Sequence, residues 1–441
     1  MWYFIHSQLT NLQKLQNIQD NERKLLNYIE ESGVEYYRVI WHELNRLSQM
    51  EGWSSNRELE AFRLGEIVQN RIDKLQNPDQ CNISKVLLCN LTNPHGLASS
   101  IHDVLWCFIK AYYSGMMMVL DISHWHYEIK SWESAFLSLT RTCQNMNISH
   151  IYNSPWPGKN DDKARSDLGR LPLDLKPQLI HLFDQPLVWW YGQFIRYLLR
   201  PNAAFESYLK TKEKLIGFSS PIVGIHVRRT DKIGKEAKFH DLYEYMYHVE
   251  DYYKRQELDN PRLERKVFIA TDDPSVITEC NSKYQRFTCL SFSENADLAY
   301  NMKSRYTNSS VWGSLTDIFL LANCDFLICT FSSGFCRLAY ELMHSIQPDA
   351  SNRVHSLDVE YLYAWKKPPQ RIALYSHVPK SPKELWFHRG SLISKQDEFA
   401  VMYSALYGKI WNGLLDGFID KTGEKGSYPI FKTIEHYNVD S

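Results

Sequence analysis

The spacing of apolar residues predicts long helices at the start of the chain. Between residues 5 and 47, leucine and isoleucine recur at steps of three and four, with Gln, Asn, Lys and Glu between them. This is the period of an amphipathic helix. Gly33 offers a break, so we expect two long helices here, either as a coiled-coil stalk or as a helical flap packed on the next domain. A third helix over residues 58–75 should end at Asn77-Pro78.

From residue 85 onward, short apolar runs alternate with helical stretches. This alternation is typical of parallel sheets with helices on both faces, and it predicts an α/β fold class with two successive units. In the first unit we expect strands at 86–89 and 116–120 and helices at 101–113 and 187–199. In the second we expect strands at 222–227, 267–270 and 326–330 and helices at 242–253, 315–321 and 336–343.

The last part of the chain changes character again after Pro368-Pro369. Short β-like runs, separated by Gly, Ser and Lys, predict strands at 372–375, 391–393, 400–403, 409–411 and 414–419. Such a series indicates a small β-barrel. We therefore divide the chain into a helical stalk (1–75), an open-sheet α/β domain (76–215), a second α/β domain (216–371) and a barrel (372–441).

Composition narrows the possible partners and compartments. The 50 Lys and Arg residues nearly balance the 51 Asp and Glu residues, so no field attracts a polyanion and we expect no nucleic-acid partner. No run approaches the roughly 20 apolar residues that cross a bilayer, which leaves a cytosolic protein or one whose membrane anchor is absent from this chain. Sequons at Asn82, Asn90, Asn147 and Asn308 favour the secretory pathway.

The most informative segment is a predicted buried strand that ends in charged residues. It reads Gly-Ile-His-Val-Arg-Arg-Thr-Asp-Lys over residues 224–232, and ligands of open α/β sheets bind at the carboxyl ends of strands. The planar forks of Arg228 and Arg229 suit diphosphate oxygens, and a fixed guanidinium can neutralise charge on a leaving nucleotide. An ordinary surface salt-bridge cluster with Asp231 is the alternative.

Two further strand ends carry polar residues. Asp272-Asp273-Pro274 closes one predicted strand, and Ser332-Ser333-Gly334 follows another just before a helix. Carboxylates can bind ribose hydroxyls or guanine nitrogens, and a Ser-Ser-Gly turn at a helix N-terminus offers N–H donors to phosphate. One of the two aspartates, and Ser332, could instead cap the following helices. With no Asp-x-Asp motif and no clustered His/Glu signature, we expect Arg and Lys, and no metal, to supply the positive charge.

Several motifs together resemble the eukaryotic core fucosyltransferases, the glycoprotein 6-α-L-fucosyltransferases. They are H-V-R-R-T-D-K with Glu236 four residues on, A-T-D-D-P-S, R-Y-T and C-T-F-S-S-x-x-C-R-x-A-Y-E. The segments W-Y-F, L-Q-N-P, V-W-W, R-Y-L-L-R-P and a late Y-P stand in the same order as in the family. The resemblance therefore extends over nearly the whole chain.

The resemblance implies an architecture and a location. The four domains would be a stalk of antiparallel helices, an open-sheet α/β domain, a Rossmann-like GDP-fucose-binding domain and a C-terminal SH3-like barrel. The chain would be the Golgi-lumen ectodomain of a type II membrane protein, without its anchor. Apolar stripes on the stalk make a homodimer through these helices a further expectation.

The resemblance also implies an activity, the transfer of fucose from GDP-fucose to the 6-hydroxyl of the innermost GlcNAc of an N-glycan, with inversion and without metal. Glu236 would be the general base, supported by Lys232, although a solvated helix-entry residue is the alternative for Glu236. The implied donor-binding residues are His226 and Asp317 at the guanine, Arg228 and Arg229 at the diphosphate, and Asp231, Asp272, Asp273 and Ser333 around them. On the acceptor side the resemblance implies Asp358 and Trp411.

Departures from the family pattern leave the acceptor open. Residues 95–99 read His-Gly-Leu-Ala-Ser in place of Cys-Gly-x-Gly-Cys, Gly334 replaces a Gln, Val359 replaces a second Asp, and Ile410 replaces a His before Trp411. The implied disulfides are Cys81–Cys143, Cys89–Cys107 and Cys329–Cys336, with Cys280, Cys289 and Cys324 unassigned. The alternatives are a fucosyltransferase acting on a chitin-type oligosaccharide or a protein hydroxyl, and an inactive glycan-binding relative.

Overall fold

The computed structural model describes residues 2–15, 17–82, 85–92, 94–144, 169–361, 370–395 and 411–437. Several sequence predictions lie outside these residues: the Pro368-Pro369 tether, the strand at 400–403, most of the strand at 409–411, and the sequon at Asn147. The described parts of the chain form three helices, two α/β units with parallel strands, and a C-terminal antiparallel sheet.

The N-terminal helices are α1 (Trp2–Gln13), α2 (Asp20–Met50) and α3 (Trp53–Gln76). The predicted break at Gly33 is wrong, because α2 runs through it without interruption. A single helical glycine costs only about 1 kcal/mol, which the flanking helix formers offset. The chain turns instead before α2 and at Gly52, where φ is 70°. Asn77 ends α3 as expected, and its side-chain amide donates to the Asp73 carbonyl at 2.9 Å.

The first α/β unit contains two parallel strands, paired from Val86↔Met117 to Asn90↔Asp121. Its elements are β1 (Val86–Asn90), α4 (Leu97–Tyr113), β2 (Met117–Asp121), α5 (Lys176–Leu182), α6 (Pro186–Leu198) and α7 (Ala203–Ile216). The buried helix α6 presses against the second unit at Gly192, where an added Cβ would lie 2.4 Å from the Glu341 carbonyl oxygen. A glycine is required there, and the two units share one hydrophobic core.

The second unit is a five-stranded, wholly parallel sheet in the order β5-β4-β3-β6-β7. Its strands are β3 (Ile222–Val227), β4 (Lys266–Thr271), β5 (Thr288–Ser291), β6 (Phe326–Cys329) and β7 (Val354–Ser356). Its helices are α8 (Leu242–Gln256), α9 (Pro274–Lys283), α10 (Ser293–Tyr300), α11 (Asn308–Asn323) and α12 (Gly334–Ile346). All six residues of β3 are buried, as their apolar run predicts.

The C-terminal sheet is antiparallel, in the order β11-β10-β9-β8-β12. Its strands are β8 (Gln370–Ala373), β9 (Leu392–Lys395), β10 (Leu414–Ile419), β11 (Lys425–Pro429) and β12 (Thr433–His436). The first begins two residues earlier than the predicted strand, and β10 coincides with its prediction. Phe387, Ile393 and Tyr428 belong to a small core of its own.

The described residues contain four disulfides, two within each α/β unit. Three are the pairs that the resemblance implies, Cys81–Cys143, Cys89–Cys107 and Cys329–Cys336. The fourth, Cys280–Cys289, joins α9 to β5 and had not been assigned. Cys324 is buried and makes no disulfide. Among the described residues, no helix is both long enough and apolar enough to cross a membrane.

Candidate active site

The strand register gathers the polar segments at one edge of the second sheet. Val227 at the end of β3 lies opposite Thr271 at the end of β4, and β6 pairs with β3 on the other side. Since all these strands are parallel, the residues that follow them meet at their shared carboxyl edge. The polar segments that the sequence analysis singled out therefore meet at one edge of the sheet, and what they bind stays a prediction.

Asp272 orders the loop that follows β3. One carboxylate oxygen accepts the Arg229 backbone N–H at 2.8 Å, and the other accepts the Thr230 N–H at 3.2 Å, the Thr230 hydroxyl and the Arg228 guanidinium. Asp273 instead caps α9 by accepting the Ser275 N–H at 3.0 Å. The capping alternative thus holds for Asp273, whereas Asp272 is a buried hub of the site.

Both arginines of the pair are held by carboxylates. Arg228 pairs with Asp231 at 2.5 Å as well as with Asp272. Arg229 pairs with Asp273 at 3.2 Å, and its guanidinium lies over the Phe239 ring at 4.4 Å from the centroid. The cluster is not an ordinary surface one, because the two arginine side chains are only 22% and 10% exposed.

A third arginine joins this network, although sequence analysis gave it no role. Arg305 pairs with Asp231 at 3.1 Å and donates to the Thr230 hydroxyl at 3.2 Å. The Ala299 carbonyl at the end of α10 anchors it at 2.7 Å. Its neighbour Tyr306 accepts the Glu128 N–H at 2.8 Å, so the first α/β unit contacts the site here. The R-Y-T motif, which begins at Arg305, was the sequence signal that could have pointed to this residue.

Lys232 and Glu236 form an ion pair at the mouth of the site. Their charged atoms are 3.3 Å apart, and Lys232 also donates to the Ser332 carbonyl at 2.5 Å. Burial lowers the pKa of Lys232 to about 8, against the opposing effect of Glu236. The Glu236 side chain is 57% exposed. A carboxylate with one fixed partner and an open face can reach a substrate hydroxyl.

His226 lies at the end of β3 with its ring stacked on Phe335, 4.7 Å between centroids. Burial lowers its pKa to about 3, so the imidazole is neutral at physiological pH. Its buried Nδ1 has no hydrogen-bond partner among the described residues. A neutral, unpartnered ring nitrogen suits recognition of a polar heterocycle.

Asp317 stands apart from the arginine network. It lies within α11, and its carboxylate accepts the Asn295 amide at 2.9 Å. Burial raises the pKa of Asp317 to about 8. No contact among the described residues joins it to Arg228 or Lys232, so its place at the guanine stays a prediction.

The start of α12 completes the edge. Ser333 occupies the N-cap position but its side chain makes no capping bond, and the buried Ser332 hydroxyl has no partner among the described residues. Arg337 reaches back from the first turn to the Phe331 carbonyl at 2.7 Å. Gly334 faces the start of α4, where an added Cβ would lie 3.5 Å from the Ser99 hydroxyl oxygen.

The two residues expected on the acceptor side lie near each other. Asp358 is buried, and one oxygen accepts the Ser356 hydroxyl at 3.0 Å and the Val359 N–H at 2.7 Å. Its other oxygen has no partner in the described part of the chain. Trp411 donates its backbone N–H to the Leu357 carbonyl at 3.4 Å. It also lines a cavity of about 610 Å³ between β7, α2 and the C-terminal sheet.

A parallel sheet whose carboxyl edge collects fixed cations beside a carboxylate–lysine pair fits a glycosyltransferase that uses a nucleotide-activated donor. Within the described ranges no three His, Cys, Asp or Glu side chains are grouped as they would be around a metal ion. The family model for Alpha-(1,6)-fucosyltransferase N- and catalytic domains matches residues 1–362, and the chain belongs to this family.

Named relatives agree with the family assignment. The Alpha-(1,6)-fucosyltransferase of Drosophila melanogaster is 34% identical over 451 residues, covering 99% of this chain and 71% of the relative. That of Caenorhabditis elegans is 32% identical over 456 residues, covering 99% and 76%. Among solved structures, POFUT1 in complex with GDP-fucose has a TM-score of 0.40 and 10% identity, covering 63% of this chain and 99% of the other. That structural likeness is too weak to add to the assignment.

Proposed function

We propose that this chain transfers L-fucose from GDP-fucose to the 6-hydroxyl of the innermost GlcNAc of N-glycans, with inversion of configuration. The observation that carries the proposal is the exposed Glu236 carboxylate, paired with Lys232 beside the Arg228 network, in a chain that belongs to the alpha-(1,6)-fucosyltransferase family. Both relatives described above are named alpha-(1,6)-fucosyltransferases.

Glu236 acts as the general base. It takes the proton of the acceptor hydroxyl while that oxygen attacks C1 of fucose from the face opposite the diphosphate, so the β linkage of the donor becomes α and GDP departs. The ion pair with Lys232 holds the Glu236 carboxylate in place. Negative charge grows on the departing diphosphate, and Arg228 and Arg305 lie fixed at the same edge to stabilise it.

The remaining residues proposed to bind the donor lie at or near the carboxyl edge of the second sheet. We assign His226 and Asp317 to the guanine, Arg229 with Arg228 to the diphosphate, and Ser333 to a phosphate at the start of α12. The unpartnered His226 nitrogen and the uncapped α12 terminus support these assignments. Asp231, Asp272 and Asp273 belong to the donor pocket through the arginines that they hold.

The acceptor side is assigned to Asp358 and Trp411. The unpartnered Asp358 oxygen is an acceptor for a sugar hydroxyl, and the Trp411 ring offers a surface on which a sugar can stack. We infer that the C-terminal sheet is an SH3-like barrel and that the backbone contact between Trp411 and Leu357 couples it to the acceptor site.

A direct assay tests the proposal. The protein is incubated with GDP-fucose and a biantennary N-glycan carrying a terminal GlcNAc, and the product linkage and anomeric configuration are read by NMR. Parallel reactions offer a chitin-type oligosaccharide and a peptide hydroxyl. We expect an α1,6 product on the innermost GlcNAc, and no transfer to the N-glycan would refute the acceptor. A product on a different acceptor alone would favour the rival fucosyltransferase.

Matched carboxylate variants separate an enzyme from an inactive glycan-binding relative. Glu236→Gln should lower kcat by roughly 10²- to 10⁴-fold, which is the usual contribution of a general base. Glu264→Gln is the control, because Glu264 is 63% exposed and pairs with Lys266 at the opposite end of the sheet. Equal activity of both variants would remove Glu236 from the mechanism.

We further propose that the chain works in the Golgi lumen as the ectodomain of an anchored protein and dimerises through α1 and α2. The helix α2 has no buried residue among those described, yet it exposes a long apolar series: Leu25, Tyr28, Ile29, Tyr36, Val39, Ile40, Leu44, Leu47 and Met50. A second copy would cover this surface. Sedimentation of the protein with Ile40→Glu and Leu44→Glu tests it, since an unchanged mass would exclude this interface.

A further inference from the structure

Arg337 is a cation placed where a helix disfavours one. It lies in the first turn of α12, and its side chain points back toward the helix N-terminus, as helical side chains do. There it donates to the Phe331 carbonyl at 2.7 Å, while Lys232 donates to the next carbonyl, that of Ser332. The N-terminus of a helix carries partial positive charge. The cations Arg337 and Lys232 are therefore repelled by this helix end and by each other.

Arg337 also differs from the other cations of the site in its partners. Each of Arg228, Arg229, Arg305 and Lys232 forms an ion pair with an aspartate or glutamate. Within the part of the chain that the structure describes, Arg337 forms none, and its buried Nε has no hydrogen-bond partner. A partly buried guanidinium with no compensating charge is costly unless an anion comes to it.

The absence of a side chain at Gly334 leaves space beside the Arg337 guanidinium. An added Cβ at Gly334 would lie 3.5 Å from Arg337 Nη2 and 3.5 Å from the Ser99 hydroxyl oxygen. The gap therefore lies between the starts of α12 and α4. Neither helix has a side-chain capping bond at this end. The Ser332 hydroxyl, buried at 2% exposure and unpartnered among the described residues, adds a donor beside it.

We propose that Arg337 binds the diphosphate of the donor nucleotide through Nη2 across the gap left by Gly334, together with the N-terminus of α12. This inference rests on the proposed use of GDP-fucose and adds a guanidinium that no motif assignment had given a role. Carboxylates already compensate the charges of Arg228 and Arg229. The charge of Arg337 would be compensated by the diphosphate of the ligand.

Titration calorimetry with GDP, GMP and guanosine tests the proposal without requiring transfer. Arg337→Met should weaken GDP binding by roughly 10- to 100-fold, the usual worth of a hydrogen bond to a charged group, and leave guanosine binding unchanged. Arg353→Met is the control, since residue 353 precedes β7 at the opposite end of the sheet and its backbone pairs with Leu327. We expect wild-type GDP affinity for that variant.

Variants at residue 334 give a second reading that leaves Arg337 in place. Gly334→Ala meets only ordinary van der Waals contacts, so the fold should be kept, but its methyl group lies 3.5 Å from Nη2 and should weaken GDP binding in part. Gly334→Leu should cover Nη2 and reproduce the full loss. GDP affinity of Arg337→Met within twofold of wild type, or an equal loss of guanosine binding, would overturn the proposal. Selective loss of GDP binding together with no transfer to any acceptor would leave the Arg337 site standing and refute the proposed reaction instead.

Discussion

Two clusters of charge, the donor edge and the cavity beside the C-terminal sheet, are compensated in different ways. At the donor edge, five cations (Arg228, Arg229, Lys232, Arg305 and Arg337) face four carboxylates (Asp231, Asp272, Asp273 and Glu236) and the start of α12. In the cavity, Lys395 pairs with Glu360 at 3.0 Å and with Glu435 at 3.6 Å, and Arg371 lies 3.8 Å from Glu435.

The difference separates a cluster whose charge an anionic ligand would complete from ion pairs that compensate one another. Uncompensated positive charge at strand ends and a helix N-terminus favours binding of an anion, and burial strengthens the attraction because the local dielectric is low. Charges that cancel each other in the cavity need no ligand, and they join segments that are far apart in sequence: Glu360 follows β7, Lys395 ends β9 and Glu435 lies in β12. The donor edge should therefore govern turnover, and the cavity should govern how the C-terminal sheet is held.

Arg228→Lys should have the largest effect on activity. A lysine ammonium cannot reproduce the forked contacts to Asp231 and Asp272, so the charge moves away from the departing diphosphate. We expect kcat to fall by about 10²- to 10³-fold with an unchanged melting temperature. Arg286→Lys, an exposed arginine paired with Glu250, is the control. Retention of a third of the wild-type kcat would contradict the role of Arg228.

Substitution of a charged residue in the cavity should lower the free energy of unfolding and leave turnover unchanged. Lys395→Met leaves Glu360 and Glu435 without their shared cation, and breaking a buried pair in this way typically costs about 3 kcal/mol or more. Urea denaturation should show this loss, while GDP affinity stays at the wild-type value. Lys425→Met, at an exposed position of β11, should change neither quantity. Weaker GDP binding by Lys395→Met would show that the two clusters are not independent.

These two regions were not equally readable from the sequence. The strand β3 was predicted with the right bounds because its apolar run is short, continuous and followed at once by charged residues. Parallel pairing then forces the ends of β3, β4 and β6 to one edge, so His226, Arg228 and Asp272 come together without further information. No such rule predicts which charged residues meet in the cavity, because their contacts depend on how the C-terminal sheet packs against the second α/β unit.

Three smaller features were predicted incompletely or not at all, each for a reason found in the local sequence or connection. The helix α11 was predicted seven residues too short at its start, because the polar sequence after its N-cap, Thr307, shows no apolar period. The three-residue strand β7 is too short for any period to appear. Arg305 lay within a quoted motif but received no role, because its reach to Asp231 depends on the connection between α10 and α11.

Trp411→Ala should affect the acceptor more than the donor. Loss of a stacking surface next to Asp358 is expected to raise the acceptor KM about tenfold. GDP binding should survive because the arginine network follows β3 and β4, on the side of β6 away from β7. Trp386→Ala, an exposed tryptophan of the same C-terminal region, provides the control. An unchanged kcat/KM for the glycan would make the barrel an accessory part.

The raised pKa of Asp317 predicts how the free energy of unfolding depends on pH. Its pKa is raised to about 8 by burial, so the folded state holds a proton that the unfolded state releases near pH 4, and this group lowers stability as pH rises from 4 to 8. Asp317→Asn cannot ionise. Compared with the wild type, its free energy of unfolding should therefore rise by roughly 3 to 4 kcal/mol between pH 5 and pH 8, at about 1.4 kcal/mol per pH unit. A pH-independent difference between the two proteins would contradict the raised pKa.

Chelation should have the smallest effect of all. If the surplus cations of the donor edge supply the charge that the diphosphate needs, then added EDTA removes nothing that the reaction uses, and kcat should stay at its starting value. The sharpest form of the experiment compares the wild type with Arg337→Met, each with and without EDTA and with manganese added back. Loss of wild-type transfer in EDTA, restored by manganese, would show that a divalent ion shares the diphosphate with the arginines. Manganese that rescues only Arg337→Met would instead show an ion replacing the missing guanidinium, which is the outcome that the charge surplus of this edge predicts.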